Sequence, residues 1–222
     1  MPISYPSRLH VRAAAVLLTV VIAACNGAPA DHPIDQLITQ YYGAFDEPGL
    51  ALMVVKDGEV VFRRTHGVAN VNTGEPITTE SNFRLASVTK QMTALSVMLL
   101  ADRGELDLDA PLTDLFLGFP TIGASVTPRM LLHHASGLWA YESLVDSIEP
   151  ERRERLLSGQ EQLVDADVLE LIKGTDSTYF APGTDYRYSN TGYALLALLV
   201  EQTSGVTFPQ FLKENIFEPL GM

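Results

Sequence analysis

Ser87 and Lys90 stand three positions apart in the run Ser87-Val88-Thr89-Lys90. On a helix that spacing places two side chains on one face, so a hydroxyl and an ammonium can share a pocket. Serine is a poor nucleophile until a base takes its proton. A lysine can be that base when desolvation or a nearby cation lowers its pKa and favours the free amine. A helix N-terminus at the same place adds backbone N–H groups and a positive dipole end, which suit a developing oxyanion. Taken alone, the spacing also fits a capping serine beside a solvated lysine, and a chain of this size should hold about one such match by chance. Two details favour chemistry. Lys56, Lys173 and Lys213 have no serine three positions earlier, and Lys90 falls in a first helical turn, where the dipole disfavours a cation.

Tyr188-Ser189-Asn190 supplies a second set of polar groups. A phenol with a lowered pKa can relay a proton to or from a serine or a leaving group. An asparagine amide can hold both a lysine and a substrate carbonyl. The same three residues would also serve as a turn before a helix, with Asn190 near the N-cap and Tyr188 packed on the core. His133 and His134 are adjacent, so on a helix they point about 100° apart and rarely share one metal. Their better role is structural, at a helix end. Trp139 and Tyr141 either border a cleft or simply pack. No motif asks for a metal or a cofactor.

These residues need elements to carry them. Ile34, Leu37, Ile38, Tyr41, Tyr42 and Phe45 recur at helical spacing and make one apolar face, which Pro48-Gly49 closes. Leu50 to Lys56, the Asp57-Gly58 turn and Glu59 to His66 read as a hairpin. A helix followed by a hairpin implies a sheet with a helix on one face. A helix is expected from about Ser87 to Asp102, ended by Gly104. Thr127-Pro128 should cap a short helix that runs through His133 and His134 to Gly137. Glu142 to Glu170 reads as charged and helical. Thr191 to Thr203 is a strongly apolar helix capped by Gly205, and Phe208 to Phe217 a last short one. The middle of the chain is thus mainly helical and the clear strands lie near the start. A lone hairpin is marginal in water, so the sheet is short of partners.

Ser-x-x-Lys at a helix start, followed by Tyr-x-Asn in a later loop, resembles the penicillin-recognising serine hydrolases, and most closely the class C β-lactamase-related group of β-lactamases, D,D-peptidases and esterases. Flanking blocks extend the resemblance. They are Phe83-Arg84-Leu85-Ala86-Ser87-Val88-Thr89-Lys90, Leu131-Leu132-His133-His134-Ala135-Ser136-Gly137-Leu138, Pro182-Gly183-Thr184 through Tyr193, and Phe217-Glu218-Pro219-Leu220-Gly221-Met222. The resemblance implies an α+β fold of the β-lactamase/transpeptidase type, with an antiparallel sheet, its helices and a mainly helical subdomain. It implies that Ser87 is acylated, that Lys90 and Tyr188 share the general-base and general-acid work, that Asn190 positions substrate and Lys90, and that the Ser87 N–H is half of an oxyanion hole. The substrates implied are small molecules or peptides: β-lactams, D-Ala peptides or small esters. The family's third motif, Lys-Thr-Gly or His-x-Gly on a later strand, has no match after Asn190. Residues 34–222 therefore read as the N-terminal portion of such a domain, with C-terminal strands missing and activity impaired. The alternative is a non-catalytic remnant or binding lipoprotein of the cell envelope.

The first 33 residues read as export and attachment. Arg8, His10 and Arg12 precede an apolar run from Ala13 to Ala24, the layout of a secretory signal. The run is shorter than the ~20 residues of a spanning helix. Ile22-Ala23-Ala24-Cys25 resembles a bacterial lipobox. Residues 1–24 would be removed, Cys25 would carry lipid, and residues 25–33 would tether the domain. Asn26 after the cysteine points to an outer-membrane lipoprotein facing the periplasm. The rival is an ordinary signal peptide cut after Ala28-Pro29-Ala30, which leaves a periplasmic protein. Cys25 is the only cysteine, so neither an internal disulfide nor a cysteine zinc site can form. The formal net charge of −12 repels phosphate backbones and excludes nucleic acid as a natural partner.

Overall fold

The computed structural model describes residues 33–42 and 45–222. The signal segment, Cys25 and all of the expected tether except Pro33 lie outside the described residues. The chain divides into two compact units, one ending at Phe83 and the other beginning at Arg84.

In the first unit, helix α1 (Pro33–Tyr41) opens on proline, whose fixed φ suits the first helical position. It ends earlier than the apolar spacing suggests. Phe45 lies beyond it, its ring centroid 4.4 Å from that of His66. Strands β1 (Leu50–Lys56) and β2 (Glu59–His66) pair antiparallel, with Lys56 opposite Glu59. Asp57 (φ 53°) and Gly58 (φ 82°) both take the left-handed conformation that a two-residue hairpin needs. The side chains of β1 alternate. Leu50, Leu52 and Val54 line an apolar cavity of about 790 Å³ with Ile34, Leu37, Ile38 and Tyr41 of α1, and Met53 and Val55 are exposed. Arg64 of β2 clamps Asp35 of α1 through Nε and Nη2, at 2.5 and 2.6 Å. A second small pair, β3 (Val68–Asn70) and β4 (Glu75–Pro76), completes the unit.

The second unit is helical. It contains α2 (Thr89–Asp102), α3 (Leu112–Leu115), α4 (Pro128–Leu132), α5 (Pro150–Leu157), α6 (Asp165–Lys173), α7 (Asn190–Ser204), α8 (Phe208–Leu212) and α9 (Glu218–Leu220). Helix α7 is apolar around most of its girth, so it is the natural centre of a core. It buries Thr191, Gly192, Leu195, Leu196, Ala197, Leu199 and Val200 and packs against α2, α4, α6 and α8. Val97 and Leu100 of α2, Leu131 of α4, Ile172 of α6 and Phe211 of α8 join the same cluster. The Ser189 hydroxyl caps α7 by accepting the Gly192 N–H at 3.0 Å, and Gly205 ends it at φ 75°.

Three expected helices change on inspection. The stretch from Glu142 to Glu170 is not one helix: short turns over Tyr141–Ser143 and Val145–Ser147 precede the helices α5 and α6, which are separated where Gly159 takes φ 76°. The helix from Phe208 loosens into a wide turn over Lys213–Phe217. Helix α4 stops at Leu132, because His134 turns left-handed at φ 58°.

Candidate active site

Ser87 does not sit inside α2. It occupies a tight turn, Ala86–Val88, that runs into α2 at Thr89. Ala86 takes φ 46°, a conformation that L-residues with a Cβ avoid at a cost of order 1–3 kcal/mol. The strain falls on the residue next to the hydroxyl and leaves Ser87 exposed at the mouth of a cavity of about 720 Å³. Lys90, Tyr141, Asp165, Asn190, Tyr193 and Phe208 are among its lining.

Tyr188 is held in place by its neighbours in sequence. The loop 134–137 is laced to residues 179–187 by three backbone hydrogen bonds: Tyr179 N–H to Gly137 O at 2.8 Å, Gly183 N–H to Ala135 O at 2.8 Å, and Arg187 N–H to His134 O at 2.9 Å. Gly137 takes φ 70°, and a Cβ there would overlap the Phe180 backbone carbonyl. The His134 Nδ1 then accepts the Ser189 N–H at 3.1 Å, which requires the neutral ring with its proton on Nε2. The His134 ring packs against those of Tyr188, Tyr193 and Tyr186 at centroid distances of 4.6, 5.1 and 5.9 Å. Burial, the charge of Lys90 and then that of His133 lower the His134 pKa, so the neutral form is favoured.

All four residues singled out from sequence meet. The Ser87 and Tyr188 hydroxyls are 2.6 Å apart. Lys90 Nζ reaches Ser87 Oγ at 3.3 Å and donates to Asn190 Oδ1 at 2.7 Å. It also stands 4.8 Å from the centre of the Tyr188 ring and 5.4 Å from that of Tyr193, within cation–π range. Lys90, as a donor, is the largest cause that lowers the Tyr188 pKa. The Ser87 hydroxyl follows, and the opposing effects of desolvation and the Glu142 charge are smaller. A phenol so placed can take the serine proton and return it to a leaving group.

Glu142 is a further member of this network that sequence reading passed over. Asn190 Nδ2 donates to its Oε1 at 2.7 Å. The two residues are far apart in the chain and share no motif, so no spacing rule connects them. Tyr141 lines the cavity. Trp139 instead packs on Tyr179 at 4.3 Å and against the core. His133 and His134 do not converge: His133 is exposed and His134 faces the tyrosines. Among the described residues no group of three or more His, Cys, Asp or Glu side chains could hold a metal ion.

Comparison with known proteins follows the same residues. The family model described as Beta-lactamase matches residues 34–222. The chain is similar to penicillin-binding protein 4* of Bacillus subtilis, with 34% identity over 77% of this chain and 36% of that protein. It is similar to a D-aminopeptidase of Gluconobacter oxydans, with 34% identity over 80% of this chain and 32% of that one. It is also similar to esterase EstB of Burkholderia gladioli, with 34% identity over 78% of this chain and 45% of that one. Among solved structures, an octameric penicillin-binding protein homologue from Pyrococcus abyssi superposes with a TM-score of 0.62 at 33% identity, covering 79% of this chain and 39% of that one. This chain therefore spans less than half the length of each of these proteins. The α+β architecture is that of the penicillin-binding and β-lactamase fold.

Proposed function

The chain belongs to the Beta-lactamase family, and from that premise we propose that Ser87 is the nucleophile of a serine acyl hydrolase. The 2.6 Å approach of the Ser87 and Tyr188 hydroxyls carries the reading. Tyr188, as phenolate, takes the Ser87 proton while Oγ attacks the substrate carbonyl carbon. The carbonyl oxygen becomes an oxyanion, stabilised by N–H groups such as that of Ser87. Collapse of the oxyanion expels the amine or alkoxide, which takes the proton from Tyr188. Water then attacks the Ser87 ester and gives its proton to Tyr188; collapse of this second oxyanion releases the acid and expels the Ser87 oxygen, which takes the proton back from Tyr188 and restores the phenolate. Lys90 stabilises the phenolate and is itself held by Asn190.

β-Lactams, D-aminoacyl amides or peptides, and small esters are the substrate classes, consistent with relatives named penicillin-binding protein, D-aminopeptidase and esterase. The test is mass spectrometry of the protein after exposure to benzylpenicillin, a D-aminoacyl nitroanilide and a nitrophenyl ester. A covalent adduct that maps to Ser87 and vanishes in Ser87→Ala is expected. A protein inert to all three would count against the assignment.

We also propose that the chain is exported and lipidated at Cys25, with residues 1–24 removed, residues 25–33 as tether and residues 34–222 as the β-lactamase-related portion. The layout of residues 8–25 supports this. Detergent-phase partitioning that depends on Cys25 is the expected result, and partitioning that survives Cys25→Ser would sink the proposal.

A further inference from the structure

We infer that Glu142 is a positioning residue that fixes the orientation of the Asn190 amide and, through it, the place of the Lys90 ammonium beside Ser87. The inference rests on the acyl-hydrolase reading above.

The Asn190 amide is gripped from both ends. Its Oδ1 accepts from Lys90 Nζ at 2.7 Å, and its Nδ2 donates to Glu142 Oε1 at 2.7 Å. An amide side chain has nearly the same shape after a half-turn, so shape does not choose between its two orientations. Chemistry does. An ammonium can only donate and a carboxylate can only accept. Turning the amide over would aim N–H groups at the ammonium and an oxygen at the carboxylate, losing two charge-assisted bonds at once. With Lys90 alone, the amide would be held at one end. Glu142 makes the arrangement single-valued.

Glu142 is presented by an anchored segment. It lies in the turn Tyr141–Ser143. The Tyr141 N–H donates to Thr191 Oγ1 at 2.9 Å, and the Thr191 hydroxyl donates to Trp139 O at 2.8 Å. Thr191 is fully buried and adjoins Asn190 in the first turn of α7. The carboxylate and the amide it grips are thus fixed to the same end of one helix. Among the described residues Glu142 makes no hydrogen bond to Ser87. It acts through Asn190 and Lys90, and more weakly by its charge on the Tyr188 phenol, which it opposes Lys90 in lowering. The charged and titratable groups facing Tyr188 are Lys90 from α2, Glu142 from this turn, His134 from the loop after α4, and Tyr193 from α7.

The test compares Ser87→Ala, Glu142→Ala and Glu142→Gln in the purified protein, reading acylation rate against pH with whichever of the three probes labels Ser87. Glu142→Ala should slow acylation by between about tenfold and a hundredfold, the scale of a small displacement in a catalytic constellation. Glu142→Gln keeps an oxygen that can accept the Asn190 N–H. It should recover most of that loss, while removal of the negative charge moves the rise of rate with pH to lower pH. Glu142→Ala at the wild-type rate, or Glu142→Gln with an unmoved profile, overturns the inference. Should Glu142→Ala fold poorly, the isosteric Gln variant decides alone. A Ser87→Ala protein that still acylates would instead overturn the acyl-hydrolase reading, so the two failures are distinct.

Discussion

Ser87 Oγ lies closer to the hydroxyl of Tyr188, at 2.6 Å, than to the ammonium of Lys90, at 3.3 Å. The difference separates two groups that sequence leaves equivalent. In the proposed mechanism Tyr188 is the direct proton partner of the serine, and Lys90 the neighbour that lowers the phenol's pKa. Replacing Tyr188 by Phe keeps the ring between Lys90 and His134 and deletes only the oxygen. The expected outcome is a native circular-dichroism spectrum with acylation slowed by about 10²–10⁴, the usual worth of a positioned acid–base group. Stopped-flow acylation with a chromogenic ester measures it.

Lys90→Met tests the division of labour through pH. If the phenolate is the active form, the rate rises as pH passes the Tyr188 pKa. Lys90 lowers that pKa, so the rise begins at lower pH than for an ordinary tyrosine. Removing the ammonium returns the phenol toward its usual value and moves the rise to higher pH. The position of the limb, rather than the plateau rate, is the measurement. A limb that stays in place would assign the titration to another group.

Much of this was legible in the residues. The hairpin was readable to its ends because Asp57-Gly58 fixes a turn type and β-branched residues flank it. Helix α7 was readable because its apolar character is continuous and Gly205 stops it. The pairing of Ser87 with Lys90 was readable from spacing, but their meeting with Tyr188 and Asn190 only as a resemblance, since those contacts span up to 101 positions. Two things were not legible. Glu142 approaches Asn190 because Thr191 anchors the turn that bears it, a tertiary relation with no local signature. The strained φ of Ala86 and the left-handed His134 were hidden because Ala rarely takes a positive φ and His, though enriched there, usually does not. Both lie beside the cluster of Ser87, Lys90, Tyr188 and Asn190, where local rules yield to site geometry.

Gly137 tests how the site loop is held. Its φ of 70° suits glycine, and an added Cβ would overlap the Phe180 carbonyl. Gly137→Ala should therefore cost at least the roughly 1–3 kcal/mol of a strained backbone position, with the clash added. Urea unfolding should show a lower midpoint at an unchanged slope. Acylation should also fall, because the lacing of 134–137 to 179–187 is what delivers Tyr188 to Ser87.

His134 predicts how stability follows pH. Its Nδ1 accepts the Ser189 N–H only when the ring is neutral, and burial, Lys90 and His133 all lower its folded-state pKa. An unfolded histidine binds its proton near pH 6.5. Below that pH the unfolded chain binds more of the proton than the folded one does. Stability then falls as pH falls, and this contribution levels off below the folded pKa. Above the unfolded value both states are neutral and the contribution is constant. The groups around the ring are Lys90, His133 and the three tyrosines at 186, 188 and 193. His134→Asn is the informative variant, because Asn tolerates a positive φ and does not titrate. Denaturant unfolding from pH 7.5 to pH 5 should show the wild-type curve falling more steeply than that of the variant, by at most the slope of one proton. Parallel curves would show that the ring titrates alike in both states and does not hold the Ser189 N–H through its neutral form.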